Sequence, residues 1–273
     1  MKYPEFKWSE DEVVTQDRYL QFAKANSNTC VFIKTDYIYN SYNEIPDGAD
    51  NSALATIWDP MNVKPLFPPL QRRWITGNSD YPITKFNSQK YANEFDRWYG
   101  VNMEQTSEEF TAIPLGSVES MVSTLRNVAN EPRILSDSLV YMNFNVNTYI
   151  SERAEVHLVF QDMPWVTSDM KSRVEINTFY RNIRNHKFTF CPRGNGVDTH
   201  RFWETLYLGS IPVVREHPEM EPFFSKLPVV KVKNWLNLTE EYLESEYERI
   251  MECDTWDFDI LRMSYWEKCF LAN

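Results

Sequence analysis

Two arginines bracket a glycine-bearing turn in the run CPRGNGVDTHRFWETLYLGSIPVV, residues 191–214. Arg193 stands before Gly194 and Gly196, and Arg201 stands just past Thr199. The run reads as strand, glycine-containing loop, helix, tight turn, strand. Gly194 and Gly196 permit positive φ and let backbone approach a ligand closely. Asp198 or Thr199 supplies a helix N-cap. A helix start offers free N–H groups and partial positive charge to an anion. Acids are preferred in a first helical turn, so Arg201 there is unusual; two guanidiniums beside a helix start fit a phosphate group. The spacing matches neither Gly-x-x-x-x-Gly-Lys-Ser/Thr nor a full Gly-x-Gly-x-x-Gly. The plain alternative is a tight turn with surface arginines.

The elements that must position this loop are strands alternating with helices. Strands are expected at 30–33, 73–76, 110–113, 138–142, 187–191, 211–214 and 229–232. Helices are expected at 10–25, 88–97, 118–129, 157–160, 168–184 and 199–208. This alternation implies an α/β protein with parallel sheets and crossover helices. In open sheets of this kind, ligands sit beyond the carboxyl ends of the strands, where the 191–199 loop falls. The segment Asn130-Glu131-Pro132-Arg133 divides the chain into halves 1–130 and 131–273. The amphipathic stretch 260–271 closes the sequence.

The 191–214 run resembles the C-terminal signature of exostosin-like glycosyltransferases. The resemblance is strong over about 25 residues. Fainter echoes of compact bacterial and viral members, chlorovirus enzymes among them, occur in ITGNSDYPI, WYGVNM and AIPLGS. It implies the GT-B architecture: two Rossmann-like domains with a cleft between them. Residues 1–130 would bind the acceptor and 131–273 the nucleotide sugar, with the last helix crossing back to the first domain. Glu204, five positions before Gly209, takes the place of the acid that binds the donor ribose. Arg201 matches the basic residue that contacts the diphosphate; Arg193, Gly194, Asn195, Gly196 and Thr199 form the rest of that loop. Arg153 resembles the arginine that opens the C-terminal domain. Where some GT-B enzymes carry a second acid, eight positions before the first, this chain has Gly196. The resemblance implies an inverting, metal-independent transferase taking a UDP-sugar as co-substrate, with UDP-xylose suggested by the viral branch, and a glycan hydroxyl as acceptor.

Such a transfer needs a base for the attacking hydroxyl. Asp80, at the end of ITGNSD, is the first candidate and Asp36, at the end of VFIKTD, the second; an Asx turn is the alternative for each. His200 and Asp198 are candidates for sugar or phosphate contact. His186 also flanks the loop, whereas His157 and His217 read as surface residues. Phe202, Trp203 and Tyr207 recur at helical spacing and read as core. Asp257-Phe258-Asp259 has the form of a metal-holding Asp-x-Asp but lies in an acidic stretch, so no metal is expected.

Composition narrows the classes. The 273 residues carry a net charge of −11, four cysteines and seven glycines. That charge argues against coating nucleic acid or gripping anionic lipid. The charge is uneven: 239–259 holds nine acids and one base, while 181–201 holds five bases and one acid. Cys30, Cys191, Cys253 and Cys269 show no metal or disulfide spacing. No signal-type leader or ~18-residue apolar span is visible, so a cytoplasmic location is expected (that of the host, for a viral member), with a lumenal domain separated from its anchor as the alternative. The competing reading is a nucleotide- or glycan-binding module without catalysis.

Overall fold

The computed structural model describes residues 3, 6–39, 73–91, 95–171 and 173–272. Strands β1 (Cys30–Lys34), β2 (Arg73–Gly77), β3 (Arg97–Gly100) and β4 (Phe110–Ala112) form one parallel sheet in that spatial order. Strands β5 (Val140–Met142), β6 (Val166–Ser168), β7 (Phe188–Phe190), β8 (Ile211–Arg215) and β9 (Val230–Val232) form a second, with order β6-β5-β7-β8-β9. Its ladders are also parallel. The protein is thus α/β with two parallel sheets.

Strands of this kind are short and apolar because helices cover both faces of the sheet. All three residues of β5 and of β7 are buried. In the first sheet the bulk comes from aromatics: Trp74 of β2 and Trp98 of β3 are register partners, with ring centroids 5.1 Å apart. Phe95 and Phe110 pack edge-on against one another and enclose Trp98.

The sequence places most elements correctly. It misses two strands. The expected helix 88–97 is the shorter Lys85–Lys90, and Arg97 already belongs to β3; residues 92–94 lie outside the described set. The run RWYG is only four residues long and too short to show a period,. Likewise 168–184 is not continuous helix: Val166–Ser168 is β6, and the helix begins at Ile176. At the start, 10–25 breaks into a 3-10 turn, Glu10–Glu12, and a helix, Gln16–Ala25. Thr15 caps that helix by accepting from the Arg18 N–H,.

The two ends of the chain cross over. Near the start, Trp8 Nε1 donates to the Tyr207 carbonyl at 2.9 Å, and Tyr3 OH donates to the Ser210 carbonyl. These partners flank the turn into β8. At the other end, the helix Met263–Leu271 lies on the first sheet. Phe270 packs against Tyr19, Phe22 and Tyr99, and its carbonyl accepts from Arg73 Nη1 at 2.5 Å.

Positive φ falls on different glycines from those expected. Gly194 and Gly196 do not adopt it; Gly116 (φ 71°) and Gly209 (φ 77°) do. Gly209 ends the helix His200–Tyr207: its N–H reaches the Leu206 carbonyl at 3.1 Å and the Ser210 N–H reaches Thr205 at 3.1 Å. That is a Schellman termination, which favours glycine. At Gly116 a Cβ would stand 2.0 Å from the Val14 carbonyl oxygen, so space as well as conformation demands glycine.

Candidate functional site

The second sheet reverses direction between β5 and β7, since β6 lies on one side of β5 and β7 on the other. A crevice opens at such a switch point beyond the carboxyl ends of the strands. Two loops leave the sheet there: 143–149 after β5 and 191–199 after β7. The helix Ile150–Phe160 follows the first and carries Arg153; the helix His200–Tyr207 follows the second and carries Arg201. The expected cations therefore converge from two elements.

Their partners differ. Arg153 braces the loop. It is 6 % exposed, and its Nε and Nη1 donate to the carbonyls of Arg193 (2.8 Å) and Asn145 (2.9 Å). Burial, then the charge of Arg201, pushes its pKa down to about 10. Arg193 folds onto its own turn, donating to the carbonyls of Gly194 (3.2 Å) and Asn195 (2.6 Å), and lies 4.4 Å over the Tyr149 ring. The guanidinium of Arg201 makes no ion pair: its Nε is buried without a hydrogen bond and it lies 5.5 Å over the Phe179 ring, with the charge of Glu204 acting on it from beyond ion-pair range. Burial holds its pKa below the usual arginine value. Among the described residues, no ion pair includes Arg153, Arg193 or Arg201. A half-buried cation that makes no ion pair is costly even with Glu204 nearby; an anion arriving there would lower that cost.

Glu204 lies one turn further along the same helix, 6 % exposed. Its Oε1 accepts from Tyr180 OH at 2.8 Å and Ser117 Oγ at 3.2 Å. Tyr180 loses its tendency to ionise through burial and then the Glu204 charge. The other oxygen, Oε2, takes no hydrogen bond among the described residues.

The loop after β4 meets this segment residue by residue. The Leu115 N–H donates to Asp198 Oδ2 at 2.8 Å, the Gly116 carbonyl bonds His200 Nδ1 at 2.7 Å, and Ser117 bonds Glu204. Three consecutive residues of AIPLGS thus engage 198, 200 and 204. Asp198 also accepts from Trp203 Nε1 at 2.6 Å. Both of its oxygens are therefore taken up within the protein. Burial raises its carboxyl to about 7, against the pull of the Leu115 N–H and the Trp203 indole. Thr199 occupies the N-cap position, but its hydroxyl makes no capping bond.

The loops after β2 and β3 complete the contact. Asn195 Nδ2 donates to Asp80 Oδ2 at 3.3 Å, and the Asp198 N–H donates to Asn102 Oδ1 at 3.0 Å. A Cβ on Gly196 would lie 3.0 Å from Asn102 Nδ2 and 3.4 Å from the Asp80 carbonyl, so this glycine serves close approach. Asp36 stays on its own side, 3.6 Å from Lys34, with Oδ2 buried and not hydrogen-bonded.

Several residues that sequence reasoning passed over belong here. Asn102 is buried and left-handed at φ 54°. Gln16 lays its amide across Gly77, where a Cβ would stand 1.7 Å from Oε1, and joins the Asn78 N–H to the Leu115 carbonyl. Tyr180 and Ser117 have no motif to mark them. His217 is half-buried: its Nε2 is buried without a partner, and it lines a small concavity with Arg193, Val197 and Thr199. His157 is half-buried with Nδ1 unpartnered, and His186 bonds Asn182 and Thr167 away from the loop. Phe202, Trp203 and Tyr207 are core as expected.

The fold and site define an α/β protein with a cationic loop at the switch point of a parallel sheet. No protein-family model and no curated protein sequence matches the chain. Among solved structures, the crystal structure of an α1,3-fucosyltransferase aligns with a TM-score of 0.46 at 13% identity, covering 88% of this chain and 77% of that one. No group of three or more metal-ligating side chains occurs among the described residues, and no described helix is long and apolar enough to cross a membrane.

Proposed function

We propose that the protein is a glycosyltransferase of GT-B type that moves a sugar from a UDP-sugar to a glycan hydroxyl, with inversion and without a metal. The observation that carries this reading is Arg201, with a buried Nε that makes no hydrogen bond and no ion pair, at the start of the His200–Tyr207 helix, beside Arg153 and the Gly194 turn. A diphosphate supplies the direct partner that this guanidinium lacks. The same groups then stabilise the charge that develops as the bond between the anomeric carbon and the leaving oxygen breaks. Glu204 Oε2 is the acceptor left for the ribose hydroxyls. Asp80, tethered to the loop through Asn195, takes the proton from the acceptor hydroxyl as its oxygen attacks the opposite face of the anomeric carbon. Asp36 is the second candidate for that role. The exostosin-like signature supports the choice of UDP, and UDP-xylose is the first donor to screen.

The test is product detection by mass spectrometry with a panel of UDP-sugars and glycan acceptors, in the presence of a chelator. Transfer is expected to survive chelation and to be lost in Asp80→Asn, with UDP binding retained. Transfer by that variant at the wild-type rate moves the base elsewhere. If the wild type binds UDP but no donor yields product, the non-catalytic binding module is the correct reading.

A further inference from the structure

At the amino-terminal end of the second sheet, away from the 191–199 loop, an open basin of about 580 Å³ is lined by Lys7, Arg126, Arg133 and Arg184, with Trp8 and Gly209 at its wall. Among the described residues that line it, none is acidic. Glu131, next to it in sequence, is turned outward to Arg181 at 2.8 Å.

One explanation needs no ligand. Three helices end here, at Asn130, Asn185 and Tyr207, and each carries about −0.5 charge at its carboxyl end. Arginines could be present only to meet those carbonyls. For Arg184 this suffices: its three nitrogens donate to the carbonyls of Glu131 and Leu208. For Arg133 it suffices in part. Nη2 donates to the His186 carbonyl at 3.0 Å, while Nε is buried with no partner. Arg126 has only the Trp8 ring, 5.1 Å away, and Lys7 Nζ has no described partner. Four positive side chains therefore face roughly −1.5 of helix-end charge. The excess is about 2.5 charges, concentrated on the groups left unpaired.

We infer that this basin is a second anion site, built for a small polyanion of the diphosphate type. The ligand is held by Lys7 and Arg126, with Arg133 as a third cation lining the basin. Charge-assisted hydrogen bonds from guanidinium and ammonium groups favour phosphate oxygens in such a place. The site is independent of the proposed donor site, because it shares no residue with it.

The probe is inorganic pyrophosphate. Titration calorimetry is run on the full chain carrying Arg201→Met, which removes the unpaired cation of the other site. This protein is expected to bind pyrophosphate, with affinity falling as salt rises. Adding Lys7→Ala and Arg126→Ala is expected to weaken that binding at least tenfold. No binding by the Arg201→Met protein, or an affinity changed less than twofold by the added pair, overturns the site. A second measurement keeps the test open if the triple variant does not fold: reductive methylation of Lys7 in the wild type, followed by mass spectrometry. Pyrophosphate is expected to slow it at least threefold, and an unchanged rate rejects the site.

Discussion

Arg201 separates a ligand-binding arginine from a structural one, because the two predict opposite outcomes for Arg201→Met. The side chain makes no ion pair and no hydrogen bond; what it loses on substitution is the Phe179 contact at 5.5 Å and the longer-range pull of Glu204. A cation–π contact of that kind contributes ~0.5–2 kcal/mol. Against this, methionine keeps most of the apolar stem and removes a charge that burial penalises, a relief of similar size or larger for an unpaired buried ion. The folded state should therefore lie within about 1 kcal/mol of wild type, or above it. Ligand affinity behaves differently. A charge-assisted hydrogen bond to a phosphate oxygen contributes ~1.5–3 kcal/mol, so the Kd for UDP should rise about ten- to 150-fold. Urea unfolding followed by tryptophan fluorescence, with calorimetric UDP titration on the same samples, measures both. A variant that loses more than ~2 kcal/mol of stability while binding UDP as tightly as wild type refutes the reasoning.

Three further outcomes follow from the contacts around the loop. The carboxyl of Asp198, raised by burial to about 7 from an ordinary value of 3.8, binds its proton more tightly folded than unfolded. Its contribution to stability is present in full below about pH 4 and is lost as pH rises to about 7. Asp198→Asn should lack that decline, so its stability relative to wild type should improve between pH 5 and 8; parallel pH profiles in urea melts would contradict this. Gly116→Ala meets both a positive φ and the Val14 carbonyl at 2.0 Å, and should cost at least ~2 kcal/mol, with less than ~1 kcal/mol arguing that the loop relaxes freely. Tyr180→Phe leaves Glu204 Oε1 with Ser117 alone; a stability loss of ~1–2 kcal/mol is expected, with a smaller fall in UDP affinity than Glu204→Gln produces, and calorimetry distinguishes the two.

Local signals in the chain made much of this visible beforehand. The helix from 200, its termination at Gly209 and the strand after it follow from N-cap, glycine and β-branched residues within a few positions of one another. The loop cations were visible for the same reason. Strand β3 was not, because four residues of RWYG have no period to read. Nor was the use of the glycines: Gly194 and Gly196 stand beside arginines and invite a conformational role, yet the left-handed residues nearby are Gly116, Gly209, Asn78 and Asn102. Asn102, Gln16 and Ser117 act across the chain, at separations of 62 to 99 residues. Nothing in their own neighbourhood announces a partner that distant. Asp198 shows the same limit: by position it reads as a cap or a ligand contact, while its two oxygens are spent on Leu115 and Trp203.

The crossing of the chain ends bears on how the protein could be divided. Every strand of the first sheet lies before residue 130 and every strand of the second after it, which invites a cut between them. A fragment 1–130 would lack the Met263–Leu271 helix and expose the apolar surface around Tyr19, Phe22 and Tyr99 that Phe270 covers. A fragment 131–273 would leave the carbonyls of Tyr207 and Ser210 without Trp8 and Tyr3. Each piece carries contacts that the other loses on division. Co-expressed as a split pair, the two should recognise one another and reassemble, each end serving as the other fragment's clasp.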